Sequence, residues 1–452
     1  MHFNLWFLVA LSPLFAIYAS SAADVIGSLG PALDKELPAW VETYKTLHAA
    51  PELSYFEEKT AAFVAKELRQ LGFTVTEAIG KYQQPGLAGH GVVGLLKNGD
   101  GPTILVRTDL DALPIEEKTG VPYVSKARMK NENAEEVPVM HACGHDIHIT
   151  CFLGTAKMLV ELKESWKGRL LFVAQPAEET LAGAKAMLND GFYSRFPKPD
   201  YALAMHDNPF LPAGTAGYTP GFALASSTPV DILVRGVGGH GSKPESAKDP
   251  IVLASQLVLA LQTIVSRENA PFDPAVVTVG TIHGGTKRNI IPDEVKLELT
   301  IRAYKEEVRR KILASIDRIA KGMAQAAGVP PERAPIVHVD EQMAGPPTYN
   351  DPALNERLVK VFTNLLGPEN VIKVDPVMGS EDFGFFGLDH QIPSVMFWLG
   401  AADPAKIQES KKTGAPLPFL HSPLWVPLPE PTIRTGVKLM TLAVLDLMKA
   451  NQ

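Results

Sequence analysis

Cysteine is almost absent: Cys143 and Cys151 are the only two in 452 residues. Eight positions apart, they give no disulfide framework, so stability must come from a packed core. Basic tracts are missing as well. With a formal charge of −7, the chain offers nothing to hold nucleic acid or an anionic membrane surface. No internal repeat and no low-complexity segment occurs. What is present is 46% hydrophobic and 21% charged residues, the composition of a globular protein with a large core. The length suits two ordinary domains or one large, interrupted one.

The N-terminus is different. Leu5–Tyr18 is nearly all apolar but too short to span a bilayer, and the small residues Ala19 to Ala23 follow it. This pattern predicts a signal peptide over residues 1–23, cleaved near Ala22 or Ala23, although only His2 and the initiating amine stand in for a positive n-region. The expected location is therefore periplasmic or secreted, with no stable membrane association after cleavage. In an oxidising compartment a lone reactive thiol is vulnerable, which favours a ligand role for Cys143.

Periodicity predicts helices on either side of Pro51 between Lys35 and Leu71, with Gly72 closing the second. Strands are expected at Phe73–Val75, Gly91–Leu96, Thr103–Arg107, Arg169–Ala174 and Tyr201–Met205, with helices at Ile147–Leu162 and Ala182–Asn189. Lys126–Val137 is charged and aperiodic and reads as a surface insertion. Alternating strands and helices imply an α/β domain, a mostly parallel sheet sandwiched by helices. Near Ser226 the pattern changes. Strands at Val230–Val234, Ala275–Ile282, Val295–Arg302 and Pro335–Asp340, with helices at Asp249–Arg267 and Glu306–Ala327, follow the β-α-β-β-α-β order of a ferredoxin-like unit. The α/β pattern returns with Pro352–Leu366, Ser394–Leu399 and Thr432–Lys449. The expected division is a catalytic domain in two parts, 24–225 and 341–452, interrupted by a smaller domain over 226–340.

Reactive residues gather just past the expected strand ends, where open α/β sheets bind ligands. The densest stretch is His141-Ala142-Cys143-Gly144-His145-Asp146, ahead of an apolar helix. Thiolate and imidazole are preferred by zinc-like ions, and carboxylates extend the range to manganese. Read alone, Cys143 is open between metal ligand, redox thiol and structural residue. Glu178-Glu179 alone is open to being a solvated helix start. Together, Cys143, His145, Glu179, His206 and His421 would supply two divalent ions, with Glu178 free beside them. A metal can bring the pKa of bound water from roughly 15.7 to about 7. A neighbouring carboxylate can then carry a proton to the leaving nitrogen.

The ordered series of motifs resembles the co-catalytic metallopeptidase and aminoacylase family (peptidase clan MH). The likeness is to its amidohydrolase subgroup of hippurate hydrolase, N-acyl-amino-acid hydrolases and indoleacetyl-amino-acid hydrolases. The matching stretches are His48–Ser54, Arg107–Pro114, His141–Asp146, Gln175–Glu179, Gly238–Gly241, Asn289–Pro292, Gly379–Phe383 and His421–Pro423, covering nearly the whole chain after the leader. The resemblance implies a zinc-peptidase-like fold with two divalent metal ions per subunit, zinc or else manganese or cobalt. It implies Cys143, His145, Glu179, His206 and His421 as ligands, Cys143 bridging, and Glu178 as general acid/base. It makes the inserted domain a lid used for homodimerisation. It gives His240 an oxyanion-stabilising role, in its own or a partner's site, against the alternative of a turn histidine in a Gly-rich loop. Asn289 and Arg302 would bind substrate, and Asp109 would support the ligands by hydrogen bonds.

There are departures. Glu245 stands where the subgroup commonly carries another His, and His206 is followed by Asp207-Asn208 rather than an aliphatic and aromatic pair. These leave the ligand set intact and bear on substrate identity. The expected activity is metal-dependent hydrolysis of an amide in an N-acyl amino acid or short peptide. A carboxypeptidase or dipeptidase is the nearest rival. An exported binding protein without turnover and a thiol enzyme built on Cys143 are rivals of other classes.

Overall fold

The computed structural model describes residues 22–449; the expected leader lies, up to residue 21, outside the described residues. The chain builds an eight-stranded mixed sheet. From one edge its strands are Thr74–Ile79, Gly91–Asn98, Gly168–Gln175, Thr103–Asp109, Tyr201–Pro212, Ser394–Ala402, Ala216–Tyr218 and Val371–Lys373. The four central strands, Gly168–Gln175 through Ser394–Ala402, run parallel.

Side-chain alternation explains why this sheet needs helices on both faces. Ile104, Val106, Phe172, Met205 and Phe397 enter one hydrophobic cluster with helices Ala22–Ala49, His145–Glu161 and Pro429–Met448. Their neighbours Leu105, Val173, Ala204 and Trp398 enter the opposite cluster, with helix Gly183–Asn189 and the turn Asp382–Gly387. Strands apolar on both faces are stable only when both faces are covered.

Residues 226–339 form a separate four-stranded antiparallel sheet. Its order is Ala275–Gly284, Glu294–Ala303, Ser226–Arg235, Ile336–Val339, and helices Pro250–Thr263 and Glu306–Ala326 cover it. This is the ferredoxin-like plan. Asp249 caps the first helix by accepting from the Ile251 amide at 2.8 Å. That helix does not continue regularly to Arg267; it widens into a π turn over Ile264–Glu268.

Two strand ends differ from the sequence expectation. The strand expected at Tyr201–Met205 runs on to Pro212. His206-Asp207 reads as a loop start, yet both side chains are buried and hydrogen-bonded inside the fold. The Lys126–Val137 insertion contains a small hairpin of Arg128–Lys130 with Glu136–Pro138.

Candidate active site

The His141–Asp146 loop turns at Gly144, which holds φ 77° at the start of helix His145–Glu161. A Cβ there would lie 2.5 Å from the Asp207 carboxylate, so glycine is required both for conformation and for space. The turn sets Cys143 and His145 around one point. Cys143 Sγ is 3.6 Å from His206 Nε2. His145 Nδ1 lies 2.8 Å from the main-chain carbonyl of Asp111, and His206 Nδ1 lies 2.8 Å from that of Asp207. A carbonyl can only accept, so each Nδ1 carries a proton and each Nε2 is the ring atom turned toward the cluster.

Glu178 and Glu179 do not start a helix; the next helix begins at Gly183. They sit in a tight turn where Ala177 and Leu181 both have left-handed backbone, φ 49° and 55°. The Leu181 amide donates to the Glu178 carbonyl at 2.6 Å, and the Gly183 amide to that of Ala177 at 3.0 Å. This winding lets consecutive side chains face the same way. Glu178 Oε2 and Glu179 Oε1 each lie 3.8 Å from His145 Nε2. Glu179 Oε2 is 3.3 Å from His421 Nε2. His421, itself at φ 65°, is tied to the motif loop by its amide, which donates to the Ala142 carbonyl at 2.8 Å.

These contacts concentrate negative charge in a buried space. Burial, and then the Glu381 and Glu179 carboxylates, raise the Glu178 carboxyl well above its ordinary range. Burial, followed by Glu179 and Glu178, raises the Cys143 thiol. The hydrogen bond to Glu179 raises His421. Among the described residues, His145 Nε2 and Glu179 Oε1 are buried with no hydrogen-bond partner. Such orphans are costly unless something cationic sits between them. Donor atoms of Cys143, His145 and His206 lie within 4.8 Å of one another, as do those of Cys143, Glu179 and His421. Nitrogen, sulfur and carboxylate donors at this density fit divalent transition-metal ions, with Cys143 common to both groups.

A buried hydrogen-bonded layer lies behind the cluster. Arg107 forks onto Asp109 at 2.7 Å and Glu381 at 2.7 Å, and reaches Asp382 at 3.2 Å and Gln175 at 2.9 Å. His148 joins Asp109, 2.8 Å from Nδ1, to Asp207, 3.1 Å from Nε2. Asp109 Oδ2 lies 3.8 Å from His145 Nε2, so it both supports the cluster and borders it. His48, from the His48–Ser54 stretch, bridges Asp146 at 2.6 Å and Glu117 at 3.1 Å. Arg107, His148, Asp207, Glu381 and His48 escape a motif-by-motif reading. Their only signal is that Arg107, Glu381 and His48 lie inside matched stretches whose partners are far away in the chain.

A cavity of about 530 Å³ opens on the cluster, lined among others by Cys143, Glu178, Glu179, His206, His421 and Arg302. Arg302 reaches it from the four-stranded sheet, donating to the Met378 carbonyl at 2.8 Å and to Ser380 Oγ at 3.1 Å. His240 and Asn289 are elsewhere. They sit side by side where the short strands Gly239–His240 and Ile290–Ile291 pair, with the Gly241 amide donating to the Asn289 carbonyl at 2.9 Å. His240 is exposed, its Nδ1 accepting from Ser242, and neither residue lines the cavity.

Residues 105–412 match the pattern of peptidase family M20/M25/M40. The chain is 41% identical to the hippurate hydrolase of Campylobacter jejuni over 342 residues, 75% of this chain and 82% of that one. It is 35% identical to thermostable carboxypeptidase 2 of Saccharolobus solfataricus, over 82% of this chain and 88% of that one. Among solved structures it resembles the Bacillus subtilis YXEP protein, a dinuclear metal-binding peptidase of the M20 family. That match has a TM-score of 0.72 at 26% identity and covers 93% of this chain and 99% of the other.

Proposed function

The chain belongs to peptidase family M20/M25/M40, a family of metal-dependent hydrolases of amide bonds, and on that premise we propose that it hydrolyses N-acyl amino acids. Cys143, His145, Glu179, His206 and His421 would hold two divalent ions. Thiolate ligation leans toward zinc, with manganese or cobalt as substitutes. When bound, the ions supply Lewis-acid chemistry that polarises the scissile carbonyl and acidifies water for attack.

The rest falls to the chain's own side chains. Glu178 takes the proton of the attacking water and returns it to the departing amine nitrogen as the C–N bond breaks. Arg302, the cation on the cavity wall, would take the substrate carboxylate. The observation that carries this reading is the meeting of five residues, Cys143, His145, Glu179, His206 and His421, in one cluster with Glu178 left beside it.

His240 and Asn289 would act when the four-stranded sheet closes over a site, its own or a partner's. A homodimer is supported by an exposed apolar face on this sheet. Val252 and Leu259 of helix Pro250–Thr263 are 53% and 73% exposed, and Ile282 of the edge strand is 50% exposed. The leader-like N-terminus supports a periplasmic or secreted location.

The test is chelator stripping followed by titration of single metals, with release of the free amino acid as readout. N-acyl amino acids should be cleaved faster than dipeptides. Preferential cleavage of dipeptides or longer peptides would move the assignment to a peptidase, and no cleavage at any metal loading would overturn it.

A further inference from the structure

Glu57 is a buried carboxyl that lines no part of the cavity and has no role in the chemistry above. It stands immediately before helix Glu58–Gln70, where an acidic side chain can bond the first free amides of its own helix. Glu57 makes no such bond. Glu52 has taken that task, accepting from the Lys59 amide at 3.2 Å and the Thr60 amide at 2.7 Å. Glu57 turns the other way and crosses to a segment 120 positions later. Its Oε1 accepts from the Ala177 amide at 2.7 Å and from the Tyr55 amide at 3.1 Å.

Ala177 precedes Glu178 and is the strained link of the turn. Its φ of 49° is left-handed, a conformation unfavourable for any residue with a Cβ. On the far side of Glu178, the Glu179 amide donates to Asp111 Oδ2 at 3.0 Å, an oxygen to which Ser54 Oγ also donates at 2.6 Å. The amides before and after Glu178 are thus each held by a buried carboxylate. Glu179 has a second anchor, its carboxylate lying 3.3 Å from His421 Nε2. The Glu178 carboxylate comes only to 3.8 Å from His145 Nε2. That is beyond hydrogen-bond reach, so its aim is set by the backbone beneath it.

We propose that Glu57 is the positioning residue of Glu178, holding the Ala177 amide so that the turn stays wound and the Glu178 carboxylate stays aimed at the cluster. The inference rests on the amide-hydrolase reading, in which Glu178 carries the proton. What this role asks of Glu57 is an acceptor oxygen at the right reach, not a charge. Glutamine keeps the oxygen and loses the charge. Aspartate keeps the charge and falls one methylene short of the Ala177 amide.

The experiment compares Glu57→Gln and Glu57→Asp as metal-loaded full chains, with N-acetyl-L-alanine and N-benzoylglycine as substrates. Glu57→Asp should lower kcat by about 10- to 100-fold, with KM within about 3-fold and metal content unchanged. Glu57→Gln should keep kcat within about 3-fold of wild type. In a Glu178→Ala background, Glu57→Asp should change the residual kcat by less than about 2-fold, because the group it aims is gone. Amide hydrogen exchange over residues 176–183, read by mass spectrometry on the metal-free protein, gives a measure without turnover. It should quicken by about 10-fold in Glu57→Asp and stay within about 3-fold of wild type in Glu57→Gln.

The proposal is overturned if Glu57→Asp turns over like wild type, if Glu57→Gln is as impaired as Glu57→Asp, or if the loss persists without Glu178. Loss of metal along with activity in Glu57→Asp would overturn it too, by placing the effect on Glu179. Should Glu57→Asp not fold, Glu57→Gln decides alone: near-wild-type kcat supports the role, and a loss beyond about 10-fold overturns it. Absence of hydrolysis in the wild type would instead overturn the amide-hydrolase reading, while the exchange comparison would still decide whether Glu57 holds the turn.

Discussion

The Nδ1–H of His145 is spent on the main-chain carbonyl of Asp111, 2.8 Å away, and its Nε2 is buried without a partner among the described residues. His206 is held the same way by the Asp207 carbonyl at 2.8 Å. Main-chain acceptors hold each Nδ1–H, so both rings are oriented with Nε2 toward the cluster.

Cys143→Ala should therefore lose metal without losing the fold. The imidazoles stay oriented, but the donor common to both groups is gone. Elemental analysis after exhaustive dialysis should find metal content at or below about half the wild-type value, with an unchanged circular dichroism spectrum. Full occupancy would show that the thiol is not a ligand.

Arg107 is buried and faces three carboxylates, Asp109, Glu381 and Asp382. Removing one partner of a buried ionic network leaves the others uncompensated, at a cost of about 3–5 kcal/mol. Arg107→Met should lower stability by that order in denaturant titration at neutral pH. A loss below about 1 kcal/mol would mean that the network contributes little to the fold.

His48 supplies a pH dependence. Burial would lower its pKa, but the hydrogen bonds and charges of Asp146 and Glu117 outweigh this and raise it from 6.5 to about 9. A raised histidine stabilises the folded state fully below its unfolded pKa, and that stabilisation is lost as pH rises through the folded value. The contribution is at most about 3 kcal/mol. The stability difference between wild type and His48→Gln should thus be largest below pH 6.5 and shrink toward pH 9 and above. A difference independent of pH would count against a charged His48.

Gly144→Ala should perturb the site more than its size suggests. It combines a left-handed backbone with a Cβ placed 2.5 Å from Asp207. We expect a loss of about 2 kcal/mol or more, together with weakened metal retention because Asp207 adjoins His206. Unchanged metal content and stability would show that the loop can relax elsewhere.

Part of this architecture is legible in the sequence because Glu178 and His206 follow the apolar stretches Gly168–Gln175 and Tyr201–Met205. Cys143 and His421 lie in loops and are visible through the density of reactive residues around Cys143 and the matched His421–Pro423 stretch. The strand carrying His206 reads as ending at Met205, seven residues before its observed end at Pro212, since buried polar groups look like loop residues until their partners are known. The bond between Arg107 and Glu381 crosses 274 positions, and no local pattern joins them. His240 and Asn289 carry motif signals, yet the fold of a single chain sets them on the inserted sheet, outside the cavity. They meet there through the pairing of Gly239 with Ile291 and His240 with Ile290, a contact between segments distant in the chain that no local pattern encodes.

The central claim is a buried pair of metal ions with an uncoordinated glutamate alongside. Measuring metal content and amide turnover together, in wild type and Glu178→Ala, addresses it most directly. The account predicts two divalent ions per chain in both proteins, with kcat reduced by about 10²–10⁴ in the variant. Near-normal turnover in the metal-loaded variant, or loss of its metal, would contradict it.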